Sequence, residues 1–233
     1  MITAAIGDIH GRSEWKPIVA KGYDRVIIIG DYFDTHENIK GKEQIENFRE
    51  IIAYKEANAN VELLIGNHDF HYLRGIEERY SGFQPDFYAQ IQEVLVMALN
   101  MDFLKASHLE GDILFTHAGV TNTWAQMLHH PENISGSINE LFESNPQSLG
   151  FTPCPKDKFP GYVDSTGDEI CQSPIWVRPP SLLKDKLTGY RQVVGHTPQP
   201  KLRIESEIAF IDCLMTSGEY LVIKDGKFEI ARI

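Results

Sequence analysis

From residue 2 onward, short apolar runs alternate with longer stretches whose apolar positions recur every three or four residues. The runs are "ITAAI" (2–6), "RVIIIG" (25–30), "VELLIG" (61–66), "DILFTH" (112–117) and "QVVGH" (192–196). Each is rich in β-branched residues and apolar on both faces, the pattern of strands buried inside a sheet. Residues 43–57 carry Ile45, Phe48, Ile51 and Ile52 on one helical face, and residues 85–99 open on a proline suited to a first turn. Strands alternating with helices predict a layered α/β fold, a sandwich of mixed β-sheets flanked by helices.

The C-terminal third changes period. "KLRIESEIAFIDC" and "EYLVIKDGKFEIARI" alternate with period two, and Asp225-Gly226 is a hairpin-turn dipeptide, so the sheet is expected to end antiparallel. Residues from about 120 to 180 are rich in Pro, Gly, Ser and Asn, with one short helix expected near 137–144. They read as a loop-rich excursion or cap on one domain spanning 1–233.

Composition narrows the class. Of 233 residues, 42% are hydrophobic and 24% charged, and no apolar stretch is long enough to cross a bilayer. The first residues lack the basic start and apolar segment of a secretory signal, which places the protein in the cytoplasm as an expectation. Three cysteines, Cys154, Cys171 and Cys213, show no CxxC spacing and are expected to be free thiols. A net charge of −11 repels nucleic-acid backbones, so extended nucleic-acid binding is not expected.

Polar chemistry gathers where the apolar runs stop. "GDIHG" follows the first run, "GDYFD" the second, "GNHD" the third, "THAG" the fourth and "GHT" the fifth. Singly, Asp8 or Asp34 reads as an ordinary turn residue. Ligand sites of open α/β sheets lie beyond the carboxyl ends of strands, so five such loops can converge on one crevice. Asp8 and His10, two positions apart in extended backbone, point the same way, and Gly7 and Gly11 let main chain approach them. Carboxylate, imidazole and amide donors without thiolate suit Mn, Fe or Zn, in a number that fits two ions better than one.

This ordered set, GDxHG, GDxxD, GNH[DE], H[AG]G and GHT over residues 7–197, resembles the calcineurin-like metallophosphoesterases, and within them the phosphoprotein phosphatase branch with its bacterial and diadenosine tetraphosphatase-like members. The resemblance implies that Asp8 and His10 hold a first ion and that Asp31 bridges to a second held by Asn67, His117 and His196. A hydroxide shared by the ions would be the nucleophile. His68 would be the general acid, oriented by Asp34. The chain departs from the family in two places. Pro198 replaces the second histidine of the GHxH form found in the nuclease and cyclic phosphodiesterase branches. Thr35 and His36 stand where GDxxDRG has its phosphate-gripping arginine. "SPIWVRPP" (173–180) resembles a segment that supplies such an arginine in relatives, so Arg178 leads the substitutes, ahead of Arg12 and Arg74.

The implied function is hydrolysis of phosphate monoesters, with phosphoserine and phosphothreonine proteins among the substrates. The alternative is a dinucleoside polyphosphate or other nucleotide, and a more distant one a non-catalytic metal-binding scaffold. The remaining histidines, His71 included, and the aromatic stretch "FHYLRGIEERYSGF" (70–83) read more simply as solvated or packing residues. Oligomeric state is not legible.

Overall fold

The computed structural model describes residues 1–35, 37–154 and 166–233. Eleven strands are found among them: β1 (Ile2–Ile6), β2 (Arg25–Ile28), β3 (Val61–Leu64), β4 (Leu104–Lys105), β5 (Ser107–Glu110), β6 (Ile113–Thr116), β7 (Arg191–Val194), β8 (Arg203–Glu205), β9 (Ile208–Phe210), β10 (Glu219–Lys224) and β11 (Lys227–Arg232). The helices are α1 (Trp15–Val19), α2 (Gly41–Ala57), α3 (Asn67–Phe70), α4 (Tyr88–Asn100), α5 (Asn122–Ala125), α6 (Ile134–Ser144), α7 (Pro179–Lys184) and α8 (Leu214–Ser217). All five expected strands form, each ending one or two residues before the first ligand-type residue or its preceding glycine, with β6 running into the Thr116 that opens "THAG". The edge strands β4 and β5 were not expected, being too short and too polar to show a period.

Two mixed sheets result, one ordered β11-β10-β1-β2-β3-β4 and the other β5-β6-β7-β9-β8. The centre of the first is parallel, β1 to β2 to β3, while β10 runs antiparallel to both β1 and β11. The expected turn joins β10 to β11, with Asp225 and Gly226 both at positive φ (49° and 75°), the conformation that a tight primed turn needs.

Alternation along the central strands sorts side chains into two cores. Ala4, Ile6, Val26, Ile28, Val61 and Leu63 face the helices and meet Ile45, Phe48 and Ile52 of α2 and Ile91 and Leu95 of α4. Ala5, Ile27, Ile29 and Leu64 face the other way and meet Phe115, Val193, Ala209 and Ile211 between the sheets. Both faces of the sheet are therefore covered, which is why these strands show no polar alternation. A Phe48→Ala change in the first core would cost about 3–5 kcal/mol.

The expectation of free thiols is corrected in one particular: Cys154 and Cys171 are joined in a disulfide, with Cα atoms 5.2 Å apart, and Cys213 alone is free and buried. A separation of 17 residues is no sequence motif. The chain brings the pair together because it doubles back, with Ser173 donating to the Leu149 carbonyl, Thr152 N–H to Gln172, and Cys154 N–H to Glu169. No helix among the described residues is long and apolar enough to cross a membrane.

Candidate metal centre

All five polar motifs sit at carboxyl ends of strands and meet between the two sheets. Backbone amides lock the loops to one another: Ile9 and His10 N–H donate to the Asp31 carbonyl, His68 N–H to Asp31 Oδ1 at 2.8 Å, and His196 N–H to Asp8 at 3.1 Å. Gly195 and Gly66 are obligatory, since a Cβ at either would land on the carboxylate of Asp8 or Asp31. His10, Asp31, Asp34 and His196 adopt positive φ (47°, 51°, 58° and 64°), four of the eight described non-glycine residues that do. Left-handed backbone costs such residues about 1 kcal/mol or more each, and strain of this kind collects at functional sites.

Asp8, His10 and Asp31 offer ligand atoms all within 4.8 Å of one another. Asp31 Oδ2 lies 3.8 Å from His10 Nε2 and 3.3 Å from His117 Nε2, between the two imidazoles. Asn67 Oδ1 lies 2.9 Å from both His117 Nε2 and His196 Nδ1. His10 and His117 each place Nδ1 2.8 Å from a backbone carbonyl, of Phe33 and Ile29 respectively. That contact puts the ring proton on Nδ1 and leaves an Nε2 lone pair facing inward. Asp31, Asn67 and His117 thus bring their donor atoms together at hydrogen-bond distance around a position that takes up a cation, a proton or a metal ion, and the buried His196 Nε2 has no hydrogen-bond partner. Such a cluster requires positive charge at its centre, and the donors fit divalent metal ions.

In the metal-free chain a proton supplies that positive charge. Burial would lower the His117 imidazole, but the Asp31 and Asp8 charges overcome it and push it up to about 10. Asp31 is held well below the usual carboxylate range against burial, by His117 and His68. Asp8 is raised well above it by burial and then by Asp212. His196 is lowered well below the ordinary imidazole value by burial and by its cationic neighbours His117 and Arg178.

Beside the cluster, His68 Nδ1 lies 3.2 Å from Asp34 Oδ2. Asp34 also accepts from the Tyr72 hydroxyl at 2.6 Å and from Gln84 at 3.2 Å, and its Oδ2 lies 2.6 Å from His71 Nε2. His68 and His71, ahead of the Tyr72 hydroxyl, hold its carboxyl down at about 2 against burial. Asp34, His68 and His71 also lie within 4.8 Å of one another in the manner of a metal set. The Tyr80 N–H donates to His71 Nδ1 at 3.1 Å, however, so the His71 proton sits on Nε2, the nitrogen beside Asp34, and no lone pair of His71 faces the set.

Arg178 lines the cavity over the cluster, with Asn67, His68 and His196, and donates to Thr197 Oγ1 at 3.2 Å. Arg12 does not line it: its Nε is bound to Glu37 at 2.6 Å and a second nitrogen donates to Met215 Sδ at 3.0 Å. Arg74 lines a different cavity, and His36 lies outside the described residues. Three residues near the centre were not singled out from the sequence. His71 and Tyr72 serve Asp34, and the buried Asp212 follows β9, its carboxyl pushed up to about 6 by burial and by Asp31. "FIDC" is a sixth strand end carrying an acid, which was the available signal for Asp212.

A layered α/β sandwich with oxygen and nitrogen donors gathered at its strand ends has the make-up of a metal-dependent hydrolase. The chain belongs to the calcineurin-like phosphoesterases, whose family profile matches residues 1–200, and it is accordingly a phosphoric ester hydrolase of a family that uses divalent metal ions. Its fold is similar to that of a cold-active protein-tyrosine phosphatase from a psychrophilic Shewanella (19% identity, TM-score 0.63, covering 98% of this chain and 77% of that one). It is also similar to a protein serine/threonine phosphatase from Saccharomyces cerevisiae (13% identity, TM-score 0.55, covering 100% and 80%). A metallophosphoesterase from Sphaerobacter thermophilus is a third likeness (12% identity, TM-score 0.54, covering 100% and 88%). No curated protein sequence matches the chain.

Proposed function

We propose that the chain is a phosphatase that uses two metal ions to hydrolyse phosphate monoesters, with Asp8, His10 and Asp31 holding one ion and Asp31, Asn67, His117 and His196 the other. When bound, such a pair supplies Lewis-acid activation of a phosphoryl group and a nucleophile derived from water. Asp31 is the shared ligand, a role supported by its place between the His10 and His117 rings. Each of these two rings is fixed by its bond to a backbone carbonyl, so neither has to reorient to bind.

His68 is the proton donor to the leaving oxygen. Burial opposes its protonation, yet the Asp31 and Asp34 charges raise it above the ordinary imidazole value. The contact of Nδ1 with Asp34 leaves Nε2 to carry the transferable proton. Arg178 binds the phosphate in place of the missing arginine, since of the three candidates it alone lines this cavity. Pro198, which cannot ligate, favours monoesters over diesters. Mn, Fe and Zn all suit the donor set.

What carries this reading is the convergence of buried oxygen and nitrogen donors from five strand ends beside the His68–Asp34 pair. Elemental analysis after reconstitution with manganese should find close to two ions per chain, and fewer than one contradicts it. Turnover of a chromogenic monoester should exceed that of the matching diester, and the reverse ranking points to a phosphodiesterase. A metal-loaded protein that turns over neither ester is the scaffold of the third reading.

A further inference from the structure

We propose that the cavity over the metal centre is a site for a planar aromatic group carried by the phosphate ester, which deepens the monoesterase reading and rests on it. The cavity has a volume of about 530 Å³ and two unlike walls. Asn67, His68, His196 and Arg178 make the polar one over the metal centre, Tyr80, Phe151 and Trp176 make the other, and the Glu78 carboxylate also lines the cavity.

The aromatic wall is built rather than incidental. Trp176 is 93% buried by its neighbours, with a relative exposure of 7%, and its indole Nε1 has no hydrogen-bond partner. Its ring meets Tyr80 edge-on at 4.4 Å, Phe151 at 5.2 Å and His196 at 5.6 Å, so it ties the wall directly to a candidate metal ligand. Tyr80 is stacked from behind on His71, at 5.2 Å and 9° between planes. Tyr80 and Phe151 are half-buried, which leaves ring surface toward the cavity.

Charge assigns the phosphate to one end. Arg79 also borders the cavity, but its guanidinium donates to the carbonyls of His71, Ile76 and Glu78 and lies over the Phe83 and Tyr88 rings. Arg178 is therefore the cation aimed at a phosphate among the described lining residues. A phosphate placed between Arg178 and the cluster puts its ester group against the aromatic wall. A short alkyl group there leaves Tyr80 and Phe151 wet, whereas a flat ring covers them and gains stacking. The same chemistry is offered by an aryl phosphate such as phosphotyrosine and by a nucleoside phosphate.

The decisive comparison is between benzyl and cyclohexylmethyl groups, which differ in planarity while their alkoxides leave about equally well. On the manganese-reconstituted protein, calorimetry should find benzylphosphonate bound at least fivefold more tightly than cyclohexylmethylphosphonate, and kcat/KM for the two phosphates should differ at least tenfold in the same sense. Phe151→Leu, at a half-exposed position, should bring both ratios toward one. Equal binding of the two phosphonates overturns the aromatic site whatever the turnover. A binding preference without turnover of any ester upholds it and overturns the phosphatase reading instead. Two further pairs assign the source: adenosine 5′-monophosphate against ribose 5-phosphate, and phosphotyrosine against phosphoserine.

Discussion

Removing the metals should make stability fall with rising pH, in a window that the buried charges define. Asp69, fully buried, is pushed up to about 8 by burial and by the Asp31 charge, and His117 to about 10 by Asp31 and Asp8 against burial. Asp8 is raised in the same direction by burial and by Asp212. For each of these groups the folded chain keeps a proton that the unfolded chain has released, so its contribution is complete below the unfolded pKa and is lost as pH rises through the folded one. His10 and His196 act oppositely, being lowered by burial, but their effect is finished once pH passes the ordinary imidazole value of about 6.5.

From about pH 6.5 to 8, then, the raised groups act alone. One net proton retained over 1.5 pH units destabilises the metal-free chain by about 2 kcal/mol. For a chain of this size that lowers the melting temperature by about 4–8 °C. Scanning fluorimetry of chelator-treated protein at pH 6.5 and 8 reads this directly. Bound divalent ions replace the retained protons, so the loaded protein should lose less over the same window and the stabilisation by manganese should grow with pH. A metal-free melting temperature that is flat or rises between the two pH values refutes the account of the cluster as an excess of buried lone pairs.

Four further outcomes follow from individual side chains. His68→Ala should lower kcat on an alkyl phosphate by about 10² to 10⁴ with metal content unchanged, and much less on 4-nitrophenyl phosphate, whose leaving group needs no proton; equal losses on both substrates remove His68 from protonation. Arg178→Ala should raise KM for both esters roughly tenfold or more and leave metal binding intact, and unchanged kinetics return the phosphate to another residue. Gly195→Ala places a Cβ on the Asp8 carboxylate, so elemental analysis should show the loss of at least one ion even where the circular dichroism spectrum is preserved. Cys171→Ser opens the loop closed by the 17-residue disulfide and should cost up to roughly 3 kcal/mol, read by urea unfolding, with no change in metal content.

The legible part of this protein is the part in which one physical requirement falls on contiguous residues. Strands buried on both faces must be apolar throughout, so the five central strands were plain, and ligands must follow them directly, so "GDIHG" and "GNHD" could be found by eye. Features that depend on the chain's return path were not plain. Cys154 meets Cys171 only because a loop doubles back, and His71 reads as a packing residue until the Tyr80 amide fixes its tautomer and turns its proton toward Asp34. The same distinction explains the arginines. Arg12 directly follows "GDIHG" and ranks second for phosphate, yet Glu37, three residues beyond Asp34, claims its guanidinium. Arg178 lies outside all five ligand motifs, is signalled only by the resemblance of "SPIWVRPP", and reaches the cavity because the loop before α7 passes over His196. Proximity along the chain thus finds the ligands of an ion, which must share strand ends, whereas the group that grips the substrate is free to come from any segment that crosses the opening.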